Sequence, residues 1–326
     1  MATRQELLTP IFEYKTWKGI DNVTPDRMRL DAGYMRVADN VDIDNASMIH
    51  RRKGASRNMI DGDWHSGWSN GLQFFGVFNG DLVEVNSDWT TTIVLAEVGE
   101  SRMNFVQVGR RIFFSNSSII GVIEDGEVYP FPDVDQTFKE KMVGGELIEY
   151  YNARLYASQV KEIFYSDAAN PMIMDMRKNF ILTGGPITML KAVEDGIYVS
   201  AQGKTFFMHG DDPSTFKYKP ICDLPAIVGS PIVFEKEVVT YAKRGTLAGK
   251  TVIFSTTDGI FMGYKGGAVE DLTSKHYGVL DVDSGCAFIR WDKLYQQYIF
   301  VGERFPEIKF DLILHGILAS FRGTTS

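Results

Sequence analysis

The sequence predicts an all-β fold from its composition, from the length of its apolar stretches and from a repeated hairpin pattern. Its 326 residues are 44% hydrophobic and 13% aromatic, which is enough to fill a large core. The apolar stretches are short, turn residues separate them, and the chain contains 31 glycines. Short stretches rich in Tyr, Phe, Thr, Ile and Val favour strands joined by tight turns.

One unit recurs along the chain: an apolar strand, a tight polar turn and a second apolar strand. The turns include Asn79-Gly80, Gln202-Gly203 and Asp258-Gly259, which tolerate the positive φ angles that hairpin turns require. Successive copies begin 40, 43, 42, 55 and 42 residues apart. The six copies begin at Leu72, Ile112, Leu155, Ile197, Val252 and Leu294.

Further strands flank these hairpins. Stretches such as MNFVQV and ITMLKAV precede copies of the hairpin, and stretches such as VYPF and NFIL follow them. Four short strands in about 42 residues are typical of one blade of a β-propeller. A β-sandwich with regularly spaced turns is the alternative, but sandwiches do not normally repeat a four-strand unit. We therefore predict a propeller of about six blades, or of five or seven if a terminal blade is degenerate.

The predicted propeller spans residues 55–326 and follows an extended N-terminal arm, residues 1–54. The long interval between hairpins contains a polar segment, Ala242 to Lys250, which we interpret as a protruding hairpin or loop inserted in one blade. Closure of the ring requires the chain ends, since a strand from one terminus can cover the open edge of a blade begun at the other. Met48 to Lys53 and Ile308 to Leu314 are the candidate strands for this pairing.

Charge and cysteine content exclude several classes of function. The net charge is −8, with no basic stripe, which disfavours sequence-specific DNA binding but is compatible with a duct through which DNA slides. Only Cys222 and Cys286 are present, so we expect no disulfide framework or cysteine metal site, and the chain suits a reducing cytosol. We expect no leader peptide, because Met1 to Lys15 lacks a charged region followed by an apolar run. We also expect no membrane insertion, because no stretch approaches the roughly 18 apolar residues needed to cross a bilayer.

No catalytic or cofactor motif stands out, so we predict a protein that is not an enzyme and needs no cofactor. Residues Gly245 to Thr251 nearly spell a phosphate-binding loop, but three residues separate the glycines where four are needed, and a strand follows. The scattered histidines are His50, His65, His209, His276 and His315.

Glycoside hydrolysis is the main enzymatic alternative, because it needs two carboxylates facing one cleft. The candidate residues are Asp133 with Asp135, Asp195, and Asp281 with Asp283, all of which we interpret as turn residues. A metal site at Asp39, Asp42 and Asp44 is a further alternative, but the glycine and distal glutamate of a helix-loop-helix calcium site are missing. We interpret these three acids as turn-forming too.

The first 60 residues carry a distinct signature. It comprises GIDNV from Gly19, DRMRL from Asp26, ADNVDIDN from Ala38 and IHRRKG from Ile49. This signature resembles that of tailed-phage virion proteins, and YSDAANP from Tyr165, PITM from Pro186 and VEDGIYV from Val193 resemble the middle region of the same family. The resemblance covers most of residues 19–263.

The resemblance implies a structural propeller of the phage neck or tail, similar to tail nozzle or packaged-DNA stabilisation (head-completion) proteins of short-tailed phages. Such a protein is assembled in the bacterial host cytoplasm, resides in the virion, and forms a homo-oligomeric ring, by resemblance a hexamer. Its expected partners are the adaptor or portal ring, tail fibres, and genomic DNA passing without sequence specificity.

We predict that charged residues of the arm and of the inserted segment form the subunit interface. They are Asp42, Asp44, Arg51, Arg52, Lys53, Lys243, Arg244 and Lys250. Two alternatives stay open: a receptor-binding or glycan-cleaving propeller at the tail tip, and a cellular propeller that serves as an interaction platform.

Overall fold

The computed structural model of the protein describes residues 16–25, 28, 30–38, 41–43, 48–51, 61–241, 245–273, 282–292, 295–303 and 315–321. Within these ranges the regular structure is almost entirely strand. Helical structure there is limited to two three-residue 3₁₀ turns, Pro213–Thr215 and Lys265–Gly267. The all-β prediction is confirmed.

Two short strand pairs come first: β1 (Gly19–Ile20) pairs in parallel with β2 (Tyr34–Met35), and β3 (Val41–Ile43) pairs antiparallel with β4 (Ile49–Arg51). Sheet 1 contains β5 (Trp64–Ser69), β6 (Phe74–Phe78), β7 (Asp81–Val85) and β8 (Thr91–Leu95). Sheet 2 contains β9 (Asn104–Val108), β10 (Arg111–Ser115), β11 (Ile120–Glu124) and β12 (Glu127–Pro130). A two-stranded pair joins β13 (Glu140–Lys141) to β17 (Ile173–Met174).

Sheet 3 contains β14 (Leu147–Tyr151), β15 (Arg154–Gln159), β16 (Glu162–Tyr165) and β18 (Phe180–Leu182). Sheet 4 contains β19 (Ile187–Val193), β20 (Gly196–Ala201), β21 (Lys204–His209) and β22 (Lys217–Cys222). Sheet 5 contains β23 (Ile232–Tyr241), β24 (Gly245–Thr256), β25 (Gly259–Tyr264) and β26 (Ala268–Asp271). Sheet 6 contains β27 (Ser284–Asp292), β28 (Tyr295–Glu303) and β29 (His315–Phe321).

Sheets 1 to 5 are antiparallel, and their four strands are hydrogen-bonded in chain order, as the repeat predicts. In these five sheets the repeated hairpin forms the second and third strands, while the flanking stretches form the first and fourth. Each sheet is a short meander that has two faces to bury and cannot bury both alone.

The meanders bury their faces against one another in chain order. Phe75 of sheet 1 packs against Phe105 of sheet 2, with ring centroids 6.4 Å apart. A further cluster joins sheets 2 and 3 through Phe113 and Ala157, and another joins sheets 3 and 4 through Tyr156 and Val199. Similar clusters join sheet 4 to sheet 5 and sheet 5 to sheet 6. Successive four-stranded meanders packed face to face are typical of a propeller.

Contacts near the ends of the series bring distant segments together. The Arg102 guanidinium, in the connection from sheet 1 to sheet 2, donates to the Gly285 carbonyl of sheet 6 at 3.0 Å. Val228 and Ser284 form an isolated parallel bridge. Of the two strands expected to pair with each other, Ile49–Arg51 pairs with β3 and residues 308–314 lie outside the described residues.

The surplus residues of the long repeat extend one hairpin. Strands β23 and β24 are 10 and 12 residues long, and their pairing continues from Ile232↔Ile253 to Tyr241↔Gly245. Most strands of the other sheets have four to seven residues, so this hairpin is the longest ladder in the first five sheets. Residues 242–244, at its tip, lie outside the described residues.

The turn chemistry follows the sequence at two of the three predicted pairs. Asn79 and Gly80 have φ of 50° and 81°, and Gln202 and Gly203 have φ of 55° and 74°. The third turn differs by one residue, because Gly259 is paired with Thr256 and the turn itself is Thr257-Asp258.

Candidate functional site

The N-terminal signature is tied to the last sheet by an ion pair. Asp42 on β3 accepts a hydrogen bond from Arg290 on β27 at 2.7 Å, across 248 positions of sequence. The Asp42 side chain is 8% exposed and the Arg290 side chain 27%, so the pair is largely screened from water. Arg290 also donates to Gln297 of the neighbouring strand β28. A charged hydrogen bond in this setting contributes more than one on the open surface.

The predicted interface residues do not form one cluster among the described residues. Asp42 lies in the ion pair within the chain, and Arg51 is exposed at the end of β4. Lys250 is exposed at the base of the long hairpin. The others, Asp44, Arg52, Lys53, Lys243 and Arg244, lie outside the described residues. Their role at a subunit interface stays a prediction.

The base of the long hairpin is fixed to sheet 4. The carboxylate of Glu194, in the turn between β19 and β20, accepts a hydrogen bond from the backbone N–H of Lys250. Gly249 beside it has φ of +119°, a conformation open to glycine, and a Cβ there would collide with the same carboxylate. This contact ties the hairpin to sheet 4 at Lys250.

An open polar pocket of about 400 Å³ lies where turns of sheets 3 and 4 meet. Tyr151 and Asn152 line it from sheet 3, where the Tyr151 hydroxyl donates to the Gly210 carbonyl and the Asn152 amide to the Asp211 carbonyl. The complete lining is Tyr151, Asn152, Glu194, Asp195, His209, Gly210 and Asp211. Three carboxylates make this pocket acidic.

The carboxylates considered for glycoside hydrolysis are engaged in structural contacts or lie apart. Asp195 accepts two hydrogen bonds from the Gly266 N–H, at 3.0 and 2.8 Å, and so links sheet 4 to a turn of sheet 5. Asp133 is exposed and pairs with Lys141 at 3.4 Å. Asp283 and Asp135 are exposed, and Asp281 lies outside the described residues. Asp195 alone of this set lines the pocket.

One buried charge pair connects the first strands of sheets 3 and 4. The Glu149 carboxylate lies 3.9 Å from the Lys191 ammonium, and both side chains are mostly covered. Burial raises the pKa of Glu149 above its usual value, while the nearby Lys191 charge opposes that shift. The pair therefore carries a desolvation cost that its Coulomb attraction only partly offsets.

Metal-binding clusters and membrane-spanning helices are both absent from the part of the chain that the structure describes. Within it, no group of three or more His, Cys, Asp or Glu side chains is arranged to hold a metal ion. The described residues also contain no helix with the length and apolar character needed to span a membrane.

Sequence reasoning missed the partner of Asp42 and the pocket. Arg290 lies within an apolar strand, CAFIRW. A charged residue in such a strand is the one sequence signal that a buried partner of opposite charge is needed. The pocket residues come from three separate turns, and no spacing in the sequence relates them.

Comparisons with known proteins give structural likenesses alone. No model of a protein family matches the chain, and no curated protein matches it. One similar solved structure is the extracellular domain of the one-component system BT4673 from B. thetaiotaomicron. The two are 13% identical, with a TM-score of 0.44, and the match covers 74% of this chain and 30% of the BT4673 chain. PorZ of the Porphyromonas gingivalis type-IX secretion system shares 11% identity over 78% of this chain and 40% of its own length, with a TM-score of 0.40.

Virginiamycin B lyase from Staphylococcus aureus is similar over 79% of this chain and 83% of its own length, with 11% identity and a TM-score of 0.44. This chain therefore spans less than half of the first two proteins and most of the third. Likenesses this distant carry no argument about activity or partners.

Proposed function

We propose that the chain is a non-enzymatic structural component of a tailed-phage particle, a six-bladed propeller of the tail or neck that forms part of the DNA exit channel. The observation that carries the proposal is the N-terminal signature, which resembles that of phage virion proteins. Its ADNVDIDN segment contains Asp42, whose carboxylate is bound to sheet 6, so this part of the signature has a structural use in the chain.

The packing of the sheets supports a building role. Each of the first five sheets buries its faces against its neighbours in the series, so the body is a stack of interdependent meanders. The outer strands β8, β12, β18, β22 and β26 each have one hydrogen-bonded neighbour among the described strands, so their other edges are available for contacts with other chains. Of the carboxylates considered for hydrolysis, Asp195 is engaged in anchoring the turn at Gly266.

In this proposal DNA passes through the opening that the ring of copies encloses. Heterologous contacts between copies of one chain close into rings, as the proposed hexamer requires. A net charge of −8 per copy disfavours tight binding of DNA phosphates to the inner surface of such a ring. The remaining arm residues, Arg51 among them, supply basic groups for the neighbouring copy or ring.

Particle composition tests this function. We expect mass spectrometry of purified phage particles to find the chain in a fixed ratio to the portal protein, and antibody labelling to place it at the neck or tail. Particles assembled without the chain should package DNA but lose it or fail to deliver it. Complete, infectious particles that lack the chain would contradict the proposal.

A glycan-cleaving propeller at the tail tip is a second candidate, favoured by the pocket between sheets 3 and 4. Its three carboxylates and Tyr151 are groups that contact sugars in glycosidases. Release of reducing sugar from host polysaccharide by the purified chain, abolished by Asp211→Asn, would favour this candidate over a purely structural role.

A further inference from the structure

The outer edge of sheet 3 presents a group of exposed apolar side chains, which we call the rim patch. Leu182 is 68% exposed and Phe180 is 38% exposed on β18, while Val160 and Phe138 are each 59% exposed on adjoining turns. Groups of exposed apolar residues mark interaction surfaces more often than isolated exposed residues do.

Strand pairing places the two β18 members of the patch on one face. Phe180 pairs with Phe164 and Leu182 with Glu162, and directly paired residues share a face of the sheet. Phe164 packs against the cluster between sheets 2 and 3, whereas Ile181 packs against the cluster between sheets 3 and 4. Phe180 and Leu182 therefore continue the face toward sheet 2 out to the rim, beyond the buried cluster.

A polar chain holds Phe138 near this edge. The Lys139 ammonium contacts the Asp167 carboxylate, which also accepts a hydrogen bond from Asn179, the residue before Phe180, at 3.0 Å. The Arg177 guanidinium lies 3.5 Å from the centre of the Phe138 ring. The aromatic ring is thus positioned on the surface by charged neighbours.

Two members of the patch are held in an unfavourable backbone conformation. Val160 has φ of 35° and Phe138 has φ of 67°, in the left-handed region that β-branched and bulky residues rarely adopt. The Val160 carbonyl accepts a hydrogen bond from the Ile187 N–H, which fixes this turn against sheet 4. Strained backbone that the surroundings hold in place clusters at ligand-binding and switch regions of proteins.

The edge itself is open to another strand. Among the described strands, β16 is the sole partner of β18, so no described strand covers the other edge of β18. An extended segment can add to such an edge through main-chain hydrogen bonds, with alternate side chains covering the apolar face.

The first 15 residues, MATRQELLTPIFEYK, precede the described structure and have the pattern that this edge needs. Leu8, Pro10, Phe12 and Tyr14 alternate, so an extended chain places all four on one face. Pro10 lacks an N–H, but residues of the opposite parity would supply the donors toward β18. Fully extended, 15 residues span about 50 Å, so the segment is long enough to pair along the whole of β18.

We propose that residues 1–15 of one copy add as a strand to β18 of a second copy and cover the rim patch. The inference rests on the proposed function, which supplies the ring of copies. It deepens that function by naming the segment and the surface that join neighbouring copies. It adds a contact separate from the charged interface residues predicted from the sequence.

Peptide binding tests the contact. A labelled peptide of residues 1–15 is titrated by fluorescence anisotropy into the chain lacking those residues. We expect saturable binding that Leu182→Lys weakens at least tenfold. Ile93→Lys is the matched control, since Ile93 is an exposed apolar residue on β8, the outer strand of sheet 1, and this change should leave binding unaltered. Circular dichroism and thermal melting confirm that each variant folds.

Absence of saturable binding, or equal binding by the Leu182→Lys variant, overturns the proposal. Light scattering of the full chain separates contacts between copies from contacts within one. We expect oligomers that both Leu182→Lys and removal of residues 1–15 abolish. A full chain that is monomeric and excludes the peptide shows the segment bound within its own copy and overturns the proposal.

The same experiments separate this inference from the proposed function. A chain that is present in particles but binds no peptide retains the structural role and loses this contact. A chain that is absent from particles but binds the peptide through the rim patch loses the phage role and retains the contact.

Discussion

Breaking the ion pair between Asp42 and Arg290 should detach the N-terminal signature from the last sheet. A charged hydrogen bond contributes about 1.5–3 kcal/mol when it is buried, whereas exposed ion pairs contribute about 0–1 kcal/mol. Because Asp42 is 8% exposed and Arg290 27%, we expect an intermediate coupling energy of about 1–2 kcal/mol. The perturbation is a double-mutant cycle of Asp42→Asn and Arg290→Gln.

The assay combines chemical denaturation with hydrogen exchange of the β3–β4 hairpin. The cycle isolates the pairwise energy even though each side chain has other contacts. The matched control is the pair Arg110–Asp125, which has a similar distance of 2.7 Å but side chains that are 80% and 68% exposed. We expect its coupling energy to be below about 0.5 kcal/mol. Equal coupling in the two pairs, or unchanged exchange in the hairpin, would show that the contact does not anchor the signature.

Three further predictions concern stability. Tyr198→Phe should lower the free energy of unfolding by about 1–3 kcal/mol, because the single proton of the buried hydroxyl is shared between two backbone carbonyls of sheet 5; a loss below about 0.5 kcal/mol in denaturant titration would contradict this. The raised pKa of Glu149 means that folding favours the protonated form of this side chain. The contribution of Glu149 to the free energy of unfolding therefore falls as pH rises from the ordinary pKa of glutamate through the raised pKa of Glu149. Glu149→Gln should remove that fall, and an unaltered pH profile of the melting temperature would contradict the burial argument. Arg177 lowers the pKa of Asp175 to about 2, so the stabilisation by the ionised Asp175 is present above pH 3.8 and is lost as pH falls toward 2. Asp175→Asn should therefore reduce the fall of the melting temperature between pH 3.8 and pH 2. A fall of the same size in the variant would count against the pairing.

The local elements could be predicted from the sequence because their signals are local. Each hairpin combines two alternating apolar strands with a turn, and at Asn79-Gly80 and Gln202-Gly203 the residues adopt the expected positive φ angles. At Asp258-Gly259 the turn lies one residue earlier, because the strand pairing of Thr256 with Gly259 decides the register there. A dipeptide preference is too weak to fix a register against a buried strand pair.

The contacts that build sites could not be predicted, because they join positions far apart in the chain. Asp42 and Arg290 are 248 positions apart, and neither carries a local signal for the other. Asp195 lies in a turn, as the sequence predicts, but its hydrogen bond to Gly266 in the next sheet depends on how the sheets pack. The exposed state of Leu182 is equally hidden, since its stretch, NFIL, has the composition of a buried strand.

Reconstruction of an intact phage particle at side-chain resolution would decide whether this chain is part of a virion. We expect a ring of copies at the neck or tail, in which each copy fits the packed meanders of sheets 1 to 6 and DNA occupies the opening between copies. A complete neck and tail in which every density is accounted for by other proteins would contradict the proposed function.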